Sequence, residues 1–226
     1  MDLLIVSGLS GAGKSVAMNA LEDIGFFCID NIPAGLLPSI MAFSKAGDNQ
    51  LKRVALSMDV RGCRSKEEIE QGLEQLDQQG RRDGKDYALT IAGAAGSWYL
   101  NQIEAVKVAA IVDHIFVMGY DLHGTWDTYA DFNAPLYAPS GTSPQSRSSI
   151  SDCVQAYLKK GIPAEKIVLG MPLYGYAYQG VKAQNNGLYS TYTSAKSVSY
   201  KMLKKSYLDN TDYRQFRHEE AQVPWL

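Results

Sequence analysis

Residues 3–16 read Leu3-Leu4-Ile5-Val6-Ser7-Gly8-Leu9-Ser10-Gly11-Ala12-Gly13-Lys14-Ser15-Val16. A short apolar run enters a glycine-rich turn, and the chain then carries Ala17, Ala20, Leu21 and Ile24 at helical spacing. Gly8 to Ser15 matches G-x-x-x-x-G-K-[ST] throughout. Glycines let successive backbone N–H groups turn inward around phosphate oxygens, and a helix N-terminus adds the positive end of its dipole. On this reading Gly8, Leu9, Ser10, Gly11, Ala12 and Gly13 form a phosphate loop, Lys14 reaches the β- and γ-phosphates, and the Ser15 hydroxyl ligates Mg²⁺. A strand before the loop and a helix after it separate this motif from a bare glycine turn.

The alternation continues outward. Phe26 to Asp30 and Val54 to Asp59 are short apolar runs ending in an acidic residue. Asp59 stands where an aspartate that holds Mg²⁺, directly or through water, belongs, and a turn aspartate is an equally good reading. Ser65-Lys66-Glu67-Glu68 reads as a capping box, with Ile69, Leu73 and Leu76 marking one helix face up to Gly80. Tyr87 to Ala92, His114 to Tyr120 and Ile167 to Leu173 read as three more strands, with helices over Gln102 to Val112 and Ser149 to Lys160. Repeated strand–helix alternation predicts an α/β fold, a parallel sheet of about six strands with flanking helices. An open sheet is favoured over a partial barrel, because six strands do not suit the eight-stranded closure. Beyond Gly180 the pattern weakens into an α+β excursion or tail.

Composition divides the chain. All 14 Tyr and all 3 Trp lie after residue 86, whereas basic and acidic residues are spread evenly. Two joined source segments explain this more economically than one. The net charge of −2 excludes a broad footprint for nucleic acid or an anionic membrane, and the apolar runs are far shorter than the ~20 residues that span a bilayer. Cys28, Cys63 and Cys153 form no disulfide framework, and His114, His123 and His218 have no metal-ligand spacing. With no secretory pattern at Met1 to Val6, the expected compartment is the cytoplasm.

The stretch GLSGAGKSVAMNALEDIGFFCIDNIPAGLLP, Gly8 to Pro38, resembles the N-terminal nucleotide-binding domain of the bacterial RNase adapter proteins, the RapZ family. VALSMDVRGC, Val54 to Cys63, is similar to that family's second nucleotide-contact segment, mapping onto Asp59, Val60, Arg61 and Gly62. The resemblance implies binding of ATP and GTP, with Mg²⁺, in the cytoplasm. It ends near residues 65–70, and the RNA-binding part of the family has no counterpart, so an RNA partner is not expected.

DGKDYALTIAGAAG (Asp83 to Gly96), VDHIFVMGYDLHGTWD (Val112 to Asp127) and KIVLGMPLYGY (Lys166 to Tyr176) resemble the family-18 glycoside hydrolases, the chitinases. The tail YRQFRHEEAQVPWL, Tyr213 to Leu226, is similar to part of the small domain inserted late in those barrels. The resemblance implies that Met118, Tyr120 and Asp121 end barrel strand six, that Met171 and Tyr174 lie on strand seven, and that Tyr120 and Asp121 contact an N-acetyl sugar. It makes Trp98 and Trp126 candidate sugar platforms, while the residues alone favour plain core and rim aromatics. The catalytic D-x-x-D-x-D-x-E motif of that family is absent, and so are counterparts of barrel strands one to four and eight. Hydrolysis needs a protonated acid at the glycosidic oxygen, so chitinase activity is not expected.

The expected organisation is therefore residues 1–66 as a nucleotide-binding segment, 67–179 as a chitinase-like βα segment, and 180–226 as a partial insert or tail. The seam falls in the helix Ser65 to Gly80 or just after it. Three readings follow: Mg·ATP or Mg·GTP binding with at most weak hydrolysis, binding or residual cleavage of chitin oligosaccharides, or a recombined fold with neither site working. Exposed apolar barrel surface would favour homo-oligomers.

Overall fold

The structure, a computed structural model, describes residues 2–8, 14–45, 53–59, 71, 74, 78, 80–82, 84, 88–140 and 148–226. The chain divides into two compact units, Met1–Ala88 and Leu89–Leu226.

In the first unit β1 (Asp2–Gly8), β2 (Phe27–Ile29) and β3 (Arg53–Asp59) form a parallel sheet of order β1-β3-β2. Helix α1 (Lys14–Asp23) carries the helically spaced Ala17, Ala20 and Leu21 and ends one residue before Ile24. It ends where Gly25 takes φ +87°, a left-handed turn that a side chain would strain. The Gly25 and Phe26 N–H groups there bond the carbonyls of Glu22 and Leu21, both at 3.0 Å. Helix α2 (Leu37–Lys45) has no counterpart in the sequence reading. Its Leu37 and Ile40 pack with Ile32, Val54, Leu56, Leu3, Ile5 and Ile29 to make this unit's core. The opposite sheet face carries α1, because the Cys28 thiol donates to the Met18 carbonyl at 3.3 Å. The predicted capping box at Ser65 lies outside the described residues, while Gln71, Glu74, Gln78 and Gly80 to Arg82 are helical.

In the second unit β4 (Thr90–Ala94), β5 (His114–Met118) and β6 (Ile167–Gly170) form another parallel sheet, of order β4-β5-β6. Helices α3 (Ser97–Leu100), α4 (Ala105–Ile111) and α5 (Ile150–Lys159) lie along its connections. Its core joins Leu100, Ala105, Ala109, Val112, Ile115, Val117, Tyr157 and Ile162. Ser149 caps α5, accepting the Asp152 N–H at 3.1 Å, as the predicted Ser149 start implies. Beyond β6 the chain makes an antiparallel pair, β7 (Tyr174–Gln179) with β8 (Ser194–Ser199). A short helix α6 (Tyr200–Leu203) follows, running on into a π-helical turn over Lys204–Leu208. A second small pair, β9 (Phe216–His218) with β10 (Val223–Trp225), completes the described chain.

The expectation of one sheet of about six strands is corrected here. The six parallel strands exist, as two three-stranded sheets. Strand count follows from local apolar runs, whereas sheet membership depends on which backbones meet in register. Each sheet's ladders are made within its own segment. No closed barrel is formed by the described residues.

Candidate functional site

At the carboxyl end of the first sheet, Gly8 closes β1 and Asp59 closes β3, and the parallel register sets these two residues directly opposite each other. Lys14 and Ser15 open α1, whose first turn carries no acidic side chain, and Ser15 is exposed. The backbone thus brings a strand end, a helix N-terminus and an acidic strand end to one edge of the sheet, as a phosphate loop requires. Leu9, Ser10, Gly11, Ala12 and Gly13 lie outside the described residues, as do Val60, Arg61 and Gly62. Behind this edge the Ser57 side chain is fully buried, and among the described residues its hydroxyl has no hydrogen-bond partner.

The second unit gathers polar aromatics at the carboxyl end of β5. Asp121 holds φ +56°, and its N–H donates to Asn133 Oδ1 at 2.7 Å. Asn133 in turn donates through Nδ2 to the Tyr174 carbonyl at 3.2 Å, tying the loop after β5 to β7. The hydroxyls of Tyr174 and Tyr176 both donate to Asp121 Oδ1, the latter at 2.7 Å. Burial, with the Asp121 carboxylate beside them, pushes both phenols well above the ordinary tyrosine range. Burial and Asp121 also raise Tyr120.

Tyr120 meets Tyr174 edge-on with centroids 6.0 Å apart, and Trp126 meets Tyr176 at 5.9 Å. A Cβ on Gly124 would lie 2.5 Å from the Trp126 ring, so glycine is what lets that ring fold back over its own loop. Trp126 remains 59% exposed. The arrangement offers an oriented carboxylate beside an accessible aromatic edge.

The structure therefore brings together Tyr120, Asp121, Tyr174 and, through Tyr176, Trp126. Met118 ends β5 and Met171 follows β6, well exposed. Trp98 packs edge-on against Tyr99 at the start of α3, with Gly96 beneath its ring. Among the described residues the hydrogen bonds and ring contacts of the Asp121 group do not extend to Trp98, Met118 or Met171.

Sequence reasoning missed Tyr176 and Asn133. The alternation Tyr174-x-Tyr176-x-Tyr178, which sets three rings on one strand face, was the available signal for the first. It also passed over His123, which is fully buried with Nδ1 3.3 Å from Asp127 Oδ2 and Nε2 3.7 Å from Asp131 Oδ2. These contacts, with the Gly124 N–H on Asp127 Oδ2 at 3.0 Å, shape the loop that presents Asp121 and Trp126.

This geometry accords with what the chain is similar to. The chain belongs to the glycosyl hydrolases of family 18, whose model matches residues 61–226. Residues 1–82 match the RapZ-like N-terminal domain. The molecule is thus a chimera of two families, and the matches overlap across 61–82, where the sequence placed the seam. Chitinase A1 of Niallia circulans is 37% identical over 166 residues, covering 68% of this chain and 24% of its own length. A nucleotide-binding protein of Listeria welshimeri is 47% identical over 77 residues, 34% of this chain and 26% of its own. The solved chitinase ChiA74 from Bacillus thuringiensis superposes with a TM-score of 0.69 at 24% identity, covering 98% of this chain and 39% of its own, a likeness of fold. The chain spans about a quarter of the length of these two curated relatives.

Proposed function

We propose that the N-terminal segment binds a magnesium–nucleoside triphosphate, ATP or GTP. The observation that carries this reading is the register of Gly8 against Asp59 at the strand edge from which α1 begins at Lys14. The backbone fits the group: a helix N-terminus without acidic side chains attracts phosphate, and by residue type Ser15 and Asp59 would supply the hard oxygen donors that Mg²⁺ takes. Bound Mg²⁺ would neutralise charge between the phosphates. Lys14 would hold the β- and γ-oxygens, and the loop N–H groups the remainder. The similarity to a Listeria protein named for nucleotide binding supports the reading. The same reading places the protein in the cytoplasm, where such nucleotides are abundant. Isothermal titration with Mg·ATP and Mg·GTP tests it: micromolar binding lost in Lys14→Ala is expected, and affinity unchanged in that variant overturns it.

A second reading concerns the Asp121 group. A carboxylate held by two tyrosine hydroxyls beside the exposed Trp126 favours binding of a chitin-type oligosaccharide, with Trp126 packing on an apolar sugar face. The family's acidic motif is absent from the sequence, so binding is the reading here, with cleavage at most residual. A rise in Tm at millimolar chito-oligosaccharide, abolished in Trp126→Ala, is expected. No shift in the wild type overturns it.

A further inference from the structure

A buried hydroxyl with no partner is costly in a protein core, and among the described residues Ser57, on the central strand of the first sheet, carries such a group. Its backbone is satisfied, since its carbonyl accepts the Ile32 N–H at 2.8 Å. Only Oγ is orphaned. The neighbouring Ala55, equally buried, shows that a methyl side chain suits this face of β3.

The face can be fixed from named contacts. Cys28, whose thiol reaches the Met18 carbonyl of α1, pairs in register with Ala55. Side chains alternate along a strand, so Ala55 and Ser57 face α1, whereas Val54 and Leu56 face Leu37 and Ile40 of α2. The level follows from element rise. Ser57 lies two residues beyond Ala55, about 6.6 Å along the strand, and Lys14 lies four residues before Met18, about 6 Å back along the helix. Ser57 therefore stands level with the first turn of α1. The unsatisfied N–H groups of a helix lie in that turn, here with no acidic side chain among them.

We infer that Ser57 is the inner donor of an anion site at the N-terminus of α1, its O–H bonding a phosphate oxygen seated on the first-turn N–H groups. The inference rests on the nucleotide-binding reading above and adds to it a residue that no phosphate-loop motif contains. Phosphate binding gives the orphaned hydroxyl its partner, so Ser57 weakens the empty protein and strengthens the loaded one.

That opposition of signs is the test. Ser57→Ala and the near-isosteric Ser57→Cys are compared with wild type and Lys14→Ala, with Mg·ATP and inorganic tripolyphosphate as probes. Expected for Ser57→Ala is a Tm about 2–4 °C higher without ligand. Affinity for both probes should fall about two- to tenfold, the scale of one net hydrogen bond. A purely structural residue would not move the two readouts in opposite directions. If Ser57→Ala lowers the unliganded Tm, the hydroxyl already has a partner and the inference is overturned. It is also overturned if affinity is unchanged, or if only Mg·ATP and not tripolyphosphate is weakened. Should Ser57→Ala fail to fold, Ser57→Cys gives the same affinity readout. If wild type binds neither probe, the nucleotide reading itself fails. If wild type binds and Lys14→Ala does not, that reading stands and Ser57 is judged alone.

Discussion

The Tyr176 hydroxyl donates to Asp121 Oδ1 at 2.7 Å, across from β7 to a residue whose own backbone is left-handed at φ +56°. One side chain thus combines an unusual backbone with an acceptor shared by two phenols. Asn tolerates positive φ and keeps an oxygen acceptor; Ala does neither. Asp121→Ala should cost about 1–3 kcal/mol and Asp121→Asn distinctly less, since only Ala leaves the hydroxyls of Tyr174 and Tyr176 unpaired. Urea unfolding of the two variants checks this, and equal losses would contradict it.

Alkaline pH should expose the buried phenols. Tyr157, Tyr174, Tyr176 and Tyr178 are raised far above the ordinary value, chiefly by burial, and Tyr189 is pushed up to about 12. A group whose folded pKa is raised keeps its proton longer in the folded state. Stability is then level below the unfolded tyrosine pKa of about 10 and falls above it, as the unfolded chain ionises first. For Tyr189 the fall extends from about pH 10 to about 12. Tyrosinate absorbance against pH should show an early exposed set and a late set that appears only on unfolding. A single transition of all 14 near the ordinary value would sink the idea.

Gly93 is required by a neighbour. A Cβ placed there would lie 2.3 Å from the Tyr157 hydroxyl, which itself donates to the Ala94 carbonyl at 2.9 Å. Gly93→Ala should destabilise by about 1–3 kcal/mol through overpacking. Adding Tyr157→Phe, which deletes the clashing oxygen, should recover part of that loss, so the double variant costs less than the sum of the singles. Strict additivity in denaturant unfolding would refute the contact as the cause.

Lys166 closes the end of α4. Its ammonium donates to the carbonyls of Ala109 at 2.6 Å and Val112 at 2.8 Å, groups that no intrahelical N–H can satisfy. Lys166→Met keeps the apolar stem and removes the donor. A loss of about 1–2 kcal/mol is expected, with little change at high salt, because the contacts are short and partly buried. A variant as stable as wild type would remove this cap from the account.

Much of the strand–helix order was legible because it is local. Leu3 to Ser7 and Val54 to Asp59 declare strands by apolar composition, and Ser149 declares a helix start by its side-chain oxygen. Helix α2 was not legible, since Leu37 to Lys45 has a proline near its start and a continuous apolar run that hides any single face. The β7–β8 pair was not legible either. Its strands join Tyr174 to Ser199 across a long connection, and Ser194 to Ser199 carries no apolar alternation of its own.

Taken alone, the sequence determined the two source families, the α/β class, the strand–loop–helix motif that ends in Lys14 and Ser15, and the absence of the acidic glycosidase motif. The families rest on the resemblance of quoted motifs and the rest on local pattern and spacing, and both survive whatever the chain folds into. Only the tertiary structure decided that the six parallel strands form two sheets, that Gly8 meets Asp59, and that Tyr176 and Asn133 hold Asp121. It also showed that the Ser57 side chain is buried on the α1 face of β3, its hydroxyl without a partner among the described residues. Each of these depends on backbone register and on which face of a strand meets which helix. Those quantities are set by packing between residues far apart in the chain, to which a local pattern is blind.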